Sequence, residues 1–274
     1  RERTRIRGRH DAGESGLNVV RMLSESADRL LRDALELGLS AVGNRAALLT
    51  RTALCALGGY RRSELSPHSD LDVCLLYEGA LDDSLRTLND YLVPFLWDIG
   101  FEIGYAVRSV DETMELVGND LKAFTSLLES RLIAGDTTTF ARLKLHLREM
   151  LANREQTQHY IRSKVRERYE LLPEEHKDLY APEPDIKENR GGLRDYHTGL
   201  WLLMMTYGPL TLDDVEALGV HLPEEHLECV QALDLLWRVR NELHFAAGKE
   251  DDRLTYANQR HVAEAFGYGG GEDD

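Results

Sequence analysis

Two aspartates separated by one residue, Asp70 and Asp72, stand at the start of an apolar stretch that ends at Tyr77. Because side chains two residues apart lie on the same face of a strand, a strand here would point both carboxylates in one direction. Neighbouring carboxylates repel each other unless a cation neutralises them, and oxygen ligands suit Mg²⁺. The pair therefore predicts a magnesium site at the beginning of a strand.

A glycine pair precedes the aspartates, because Gly58 and Gly59 directly follow a second apolar stretch, residues 53–57. Glycine has no Cβ, so the backbone can approach a phosphate and point amide N–H groups at it. Each motif alone is also typical of an ordinary turn or of a solvated strand end. Their combination indicates metal-dependent transfer of a nucleotidyl group.

Several other side chains near these motifs suit the same chemistry. Glu102, in a third apolar stretch, is the candidate for a third metal-binding carboxylate, with an ordinary exposed glutamate as the alternative. Arg61 and Arg62 beside the glycines are candidates for charge-assisted hydrogen bonds to a triphosphate. Ser69 and Arg108 are further nucleotide-binding candidates, although a loop cap and a surface arginine explain them equally well.

A second glycine pair, residues 191 and 192, stands immediately before an apolar helical pattern. The start of a helix attracts anions, and Lys187 and Arg194 add positive charge nearby. We include both among the nucleotide-binding candidates. The alternative is that the glycines serve only as a turn.

The periodicity predicts an α+β protein with a small mixed sheet followed by an all-α domain. Strand patterns occur at residues 53–57, Leu71–Tyr77 and 101–108, and an amphipathic helix is predicted over residues 121–134. Further helices are predicted over residues 17–39, 81–98, 137–153, 156–172, 192–207, 212–218, Pro223–Ala247 and 257–266. We expect residues 1–16 to be disordered, a nucleotidyltransferase domain at 17–136 and a helical domain at 137–274.

The composition limits the possible partners and compartments. The 48 acidic and 33 basic residues give a net charge of −15, which argues against an extended nucleic-acid surface. A basic stretch from Arg142 to Arg168 is either a solvated helix face or a surface that meets an acidic partner. Three cysteines without metal-ligand spacing, and no long apolar run, predict a cytoplasmic protein with no membrane contact.

The motifs together resemble the bacterial PII uridylyltransferase/uridylyl-removing enzymes of the polymerase-β-like nucleotidyltransferase superfamily. The main match is the run Gly-Gly-Tyr-Arg-Arg-Ser-Glu-Leu-Ser-Pro-His-Ser-Asp-Leu-Asp at residues 58–72. Other segments that resemble the family lie at residues 101–108, 127–136, 183–187, 191–195 and 236–254. The resemblance covers nearly all of the chain from Leu17 onward.

The resemblance implies transfer of UMP from UTP to a tyrosine of the signalling protein PII, with Mg²⁺, and two ions in the site. It implies that Asp70, Asp72 and Glu102 bind the metal and that Gly58 and Gly59 hold the triphosphate. Two alternatives remain open. The first is a related enzyme with another nucleotide or acceptor, such as one that adenylylates a protein or small molecule, and the second is a non-catalytic module with the same fold.

The chain departs from the family pattern in two ways. Arg61 replaces the usual glycine after Gly-Gly-Tyr, which leaves the nucleotide preference open. The family continues into a phosphohydrolase domain of the His-Asp type and two ACT domains, whereas this sequence ends after a glycine-rich run at residues 269–271. We therefore expect the sequence given to lack uridylyl-removing activity and glutamine sensing.

Overall fold

The computed structural model describes residues 2–98 and 102–268. The predictions that concern Arg1, Phe101 and residues 269–274 fall outside these ranges. The strands are β1 (Thr52–Ala56), β2 (Leu71–Tyr77), β3 (Ile103–Ser109) and β4 (Arg131–Gly135). The helices are α1 (Glu2–Asp11), α2 (Gly16–Ala41), α3 (Arg45–Leu49), α4 (Gly58–Arg61), α5 (Asp83–Asp98), α6 (Val110–Asn119), α7 (Leu121–Leu128), α8 (Thr137–Ala152), α9 (Arg154–Val165), α10 (Glu174–Lys177), α11 (Leu193–Tyr207), α12 (Leu212–Ala217), α13 (Pro223–Ala247) and α14 (Tyr256–Ala265), with a π-helical turn at Arg166–Glu170 after α9.

The four strands form one mixed sheet in the order β3-β2-β1-β4. Strand β1 is antiparallel to both β2 and β4, whereas β2 and β3 are parallel. All five residues of β1 are buried, as expected for a central strand. The predicted α+β class with a small mixed sheet is confirmed.

Strand β4 corrects the prediction that residues 121–134 form one helix and that strands occur in only three places. Helix α7 ends at Leu128, and Arg131–Gly135 pairs with β1 instead. Gly135 has a φ of +101°, and a Cβ there would clash with the carbonyl oxygen of Thr52. The apolar residues of this segment fit a helical period, but pairing with a buried strand outweighs that local preference.

Helix α1 corrects the prediction of disorder over residues 1–16. Its residues are mostly charged, yet Ile6 and His10 are buried. The imidazole Nε2 of His10 lies 2.8 Å from Oε2 of Glu242, and its ring centroid lies 5.3 Å from that of Phe245. Contacts made by residues far along the sequence therefore order a segment whose composition is typical of disorder.

The chain divides into two compact units. The helical unit contains the described residues of Arg1–Leu23, Ser66–His68 and Thr157–Asp274, and the sheet unit contains Ser24–Leu65 and Ser69–Gln156. This division differs from the predicted boundary between residues 136 and 137. Helix α8 belongs to the sheet unit, where it buries Leu143 and Leu147 and packs on β1 and β2.

Two buried cysteines occupy facing positions in the sheet. Cys55 of β1 and Cys74 of β2 are direct neighbours in the antiparallel register, and both are free thiols. Burial raises the pKa of Cys74 to about 12, so this thiol is a hydrophobic core group.

The helical unit surrounds a core around Trp237, which packs with Val20, Leu193 and Leu233. Among the residues described, no helix combines the length and apolar character needed to cross a membrane.

The segment Ser66–His68 is held inside the helical unit by hydrogen bonds. The backbone N–H of His68 donates to Nδ1 of His244 at 3.2 Å, and Nη1 of Arg240 donates to the hydroxyl of Ser66 at 3.4 Å. Asp252 joins the two partners, because its Oδ1 lies 3.0 Å from Nε2 of His244 and 2.6 Å from Nε of Arg240. Burial would raise the pKa of Asp252, but these hydrogen bonds outweigh it and hold that pKa well below its usual range.

Candidate active site

The predicted acidic residues lie together at one edge of the sheet. Asp70 and Asp72 flank Leu71, the first residue of β2, and both aspartates are exposed whereas Leu71 is buried. In the parallel register Leu71 pairs with Ile103, and the Leu71 N–H donates to the carbonyl oxygen of Glu102 at 2.8 Å. Glu102, the residue before β3, therefore lies opposite Asp70, the residue before β2, and alternation places it on the same face as both aspartates.

The carboxylate of Asp72 lies between two glycines. A Cβ added to Gly58 would be 3.2 Å from Oδ2 of Asp72, and one added to Gly104 would be 2.5 Å from Oδ1. Gly58 also has a φ of +51°, a conformation that side chains other than glycine rarely adopt. Both positions therefore need glycine for the Asp72 carboxylate to lie where it does.

Gly104 is a site residue that the sequence reasoning missed. It pairs directly with Asp72 in the register of β2 and β3. Glycine weakens a strand and often marks a place where another group approaches the backbone closely. The sequence signal for this role was an isolated glycine inside the strand pattern, two residues after Glu102.

The glycine turn is joined to the start of β2 by a backbone hydrogen bond. Strand β1 ends at Ala56, and the N–H of Leu57 donates to the carbonyl oxygen of Asp72 at 3.0 Å. Helix α4 then begins at Gly58, so the two glycines lie next to the aspartates. This geometry brings the predicted phosphate-binding turn and the predicted metal-binding pair together.

The side chain of Arg62 is part of a buried ion-pair cluster. Its Nε lies 2.6 Å from Oε2 of Glu64, and its Nη1 lies 2.6 Å from Oε2 of Glu129. Burial alone would lower the pKa of Arg62, but the two carboxylates outweigh it and raise that pKa above its usual range. The two carboxylates neutralise its charge within the sheet unit, and a role for Arg62 in binding the triphosphate stays a prediction.

The positions of the other predicted nucleotide ligands of the sheet unit neither support nor exclude contact with a nucleotide. Arg61 is half-buried, and burial lowers its pKa, with the charge of Glu129 opposing the shift. Ser69 directly precedes Asp70. Arg108 lies in β3 four residues beyond Gly104, which is about 13 Å along the strand. Nucleotide-binding roles for these three residues stay predictions.

Lys187 and Arg194 lie in the helical unit, where each pairs with an acidic residue. Lys187 Nζ is 2.9 Å from Oε1 of Glu250, and Arg194 Nη2 is 2.7 Å from Oε1 of Glu188. The amides at the start of the helix that follows are also occupied, because the N–H of Leu193 donates to the carbonyl oxygen of Ile186 at 3.0 Å and that of Arg194 to the carbonyl oxygen of Lys187 at 2.8 Å. A role for either cation in nucleotide binding stays a prediction.

The donor set at the sheet edge fits magnesium. Within residues 2–98 and 102–268, no three histidine, cysteine or acidic side chains form a ready metal-binding group. Mg²⁺ is commonly bound by one or two carboxylates, with substrate phosphates and waters as its other ligands. The exposed pair Asp70 and Asp72 meets that requirement, whereas metal binding by Glu102 stays a prediction.

Comparison with known proteins gives one family. Residues 159–274 match a family described as "GlnD PII-uridylyltransferase". A Vibrio atlanticus protein named "Bifunctional uridylyltransferase/uridylyl-removing enzyme" is 38% identical over 222 residues, which is 81% of this chain. The chain belongs to this family.

Other relatives carry the same name. The protein from Vibrio campbellii is 39% identical over 218 residues, or 80% of this chain, and that from Pseudomonas putida is 39% identical over 222 residues, or 79%. The matches cover 25%, 25% and 24% of the three relatives. The chain therefore spans about a quarter of the length of the relatives it matches and corresponds to one segment of those proteins.

Proposed function

We propose that this chain transfers UMP from UTP to a tyrosine of the signalling protein PII. The observation that carries the proposal is the position of the Asp72 carboxylate, between Gly58 and Gly104 and beside Asp70. This arrangement provides carboxylates for a cation and a turn without side chains for a phosphate. The names of the relatives supply uridylyl transfer as the reaction class.

In this proposal the carboxylates at the sheet edge bind the metal and the glycine turn binds the triphosphate. Asp70 and Asp72 hold Mg²⁺, with Glu102 as the third carboxylate for a second ion, and the N–H groups of Gly58 and Gly59 bind the triphosphate. Bound Mg²⁺ would neutralise negative charge on the phosphates. The tyrosine oxygen, its proton released to water, forms a bond to the α-phosphorus. The bond from that phosphorus to the oxygen that bridges to the β-phosphorus breaks, and pyrophosphate leaves in line.

The proposal is tested by incubating the protein with Mg²⁺, purified PII and labelled UTP, ATP, GTP or CTP. We expect label from UTP on PII, and we expect Asp70→Asn and Asp72→Asn to lower the rate by at least about a hundredfold. The matched control is Asp90→Asn, which removes an exposed carboxylate from α5 of the same unit and should leave the rate unchanged.

Each alternative gives a different result in the same assay. Label that arrives only from ATP would indicate adenylylation. Transfer from UTP to a protein other than PII would retain the reaction and change the acceptor. Absence of nucleotide binding by calorimetry with Mg²⁺ present would favour a non-catalytic module. An unchanged rate in Glu102→Gln would remove Glu102 from the metal site.

A further inference from the structure

The phosphate-binding turn is attached to a buried carboxylate that lies far from it in the sequence. The hydroxyl of Tyr60, the third residue of α4, donates a hydrogen bond of 2.6 Å to Oδ1 of Asp28 in α2. Both side chains are buried. A hydrogen bond to an ionised acceptor is among the stronger ones in a protein, so this contact fixes one point of the turn.

Arg131 of β4 fixes a second point of the same turn. Its Nη1 lies 2.8 Å from Oδ2 of Asp28 and its Nη2 lies 2.9 Å from Oδ1, a two-point pairing. Its third donor, Nε, binds the backbone carbonyl oxygen of Arg61 at 3.3 Å. The guanidinium also lies 5.5 Å from the ring centre of Tyr60. One arginine therefore links the Asp28 carboxylate to two consecutive residues of the turn.

The three groups of this cluster, Asp28, Tyr60 and Arg131, stabilise one another in an ionised carboxylate, a neutral phenol and a charged guanidinium. Burial would raise the pKa of Asp28, but the hydrogen bonds from Arg131 and Tyr60 outweigh it and lower that pKa. Burial, with the Asp28 charge, raises the pKa of Tyr60, so the phenol stays a donor at neutral pH. Arg32 adds a second cation, with Nη2 3.0 Å from Oδ2 of Asp28.

The turn needs such support because its own structure provides little. Helix α4 has four residues, Gly58 has a positive φ, and no side chain caps its N-terminus. The position of the two glycines therefore depends on what holds the residues immediately after them.

We propose that Asp28, Tyr60 and Arg131 are positioning residues that hold the Gly58-Gly59 turn where its amides meet the triphosphate. The inference rests on the proposed function of that turn. None of the three touches the reacting atoms in this account. They act through the turn, so their loss should weaken nucleotide binding more than it weakens the folded state.

The decisive variant is Tyr60→Phe, which removes one hydroxyl and leaves Asp28 paired with Arg131. We expect the Kd for UTP with Mg²⁺, measured by calorimetry, to rise about tenfold. The melting temperature should stay within a few degrees of the parent. In the transfer assay KM should rise while kcat stays close to the parent, because the turn binds the phosphates in the ground state and in the transition state alike.

Tyr105→Phe is the matched control. Tyr105 lies in β3 of the same unit, and its hydroxyl is buried with no hydrogen-bond partner among the described residues. The control removes the same atom from a similar environment, so its Kd for UTP should equal that of the parent. Arg131→Lys and Arg131→Gln give a second comparison, in which lysine retains the charge and should restore part of the affinity that glutamine loses.

A measurement without nucleotide separates this inference from the proposed function. Amide hydrogen exchange at residues 58–62 of the free protein should be faster in Tyr60→Phe than in the parent or in Tyr105→Phe. If the parent does not bind UTP, the proposed function is wrong. Faster exchange in Tyr60→Phe would still show that Tyr60 holds the turn in place. If exchange and affinity in Tyr60→Phe match those of Tyr105→Phe, or if affinity falls only as the protein unfolds, the positioning role is wrong.

Discussion

Replacing Gly104 by alanine tests whether the space around Asp72 controls the reaction. The new Cβ would lie 2.5 Å from Oδ1 of Asp72 and 3.6 Å from its Cγ. Carbon and oxygen atoms that are not bonded approach to about 3.3 Å at the closest. The carboxylate must therefore move by about 0.8 Å, the difference between 3.3 and 2.5 Å.

A displacement of this size should change the rate much more than the stability. Misplacing a reacting group by about 1 Å can cost about a hundredfold in rate, so we expect kcat to fall between tenfold and a hundredfold. Alanine in place of glycine within a strand is also favoured by about 0.5–1 kcal/mol, which offsets part of the strain. The free energy of unfolding should therefore stay within about 1 kcal/mol of the parent.

The assay compares initial rates of UMP transfer to PII at saturating UTP with urea unfolding of the same preparations. Gly118→Ala in α6 is the control, because a Cβ there meets no atom within 4 Å. A parent-like rate in Gly104→Ala would refute the reasoning, since the carboxylate would then tolerate the shift or would not bind the metal.

Three other predictions concern stability. Burial lowers the pKa of His244, so the unfolded chain binds the proton more readily, and stability should fall as the pH drops below about 6.5. His244→Asn should reduce that slope by up to about 1.4 kcal/mol per pH unit in urea titrations, and an unchanged slope would exclude His244 as its source. Arg62→Met should cost about 3–5 kcal/mol because it removes the cation that pairs with the carboxylates of Glu64 and Glu129. Loss of UTP affinity at unchanged stability would instead support a role as a phosphate ligand. Gly135→Ala should destabilise by more than about 1 kcal/mol, because the positive φ and the nearby carbonyl oxygen of Thr52 do not accommodate a Cβ, and an unchanged free energy of unfolding in urea would contradict the strand.

Local patterns in the sequence were sufficient to predict the bounds of the helices and strands that bury one continuous face. Strand β2 and helix α13 have the predicted bounds, and β1 differs by one residue at each end. Glycines and aspartates could be placed near each other because the turn and the strand follow one another along the chain. Those predictions required only short-range periodicity.

The errors have a common physical cause, since each involves a partner far away in the sequence. Strand β4 is a strand because it pairs with β1, and α1 is ordered because His10 has a partner in α13. A pattern read within one segment contains no information about such partners.

The segment Ser66–His68 has a consequence for dividing this protein into pieces. The chain passes between the sheet unit and the helical unit at four places, and the two middle crossings lie on either side of these three residues. A fragment that ends at Gln156 would include them but would omit Arg240 and His244, which hold them. The segment ends at His68, two residues before Asp70. Truncation would therefore loosen the backbone that leads into Asp70 and Asp72, even with every residue of the sheet unit present.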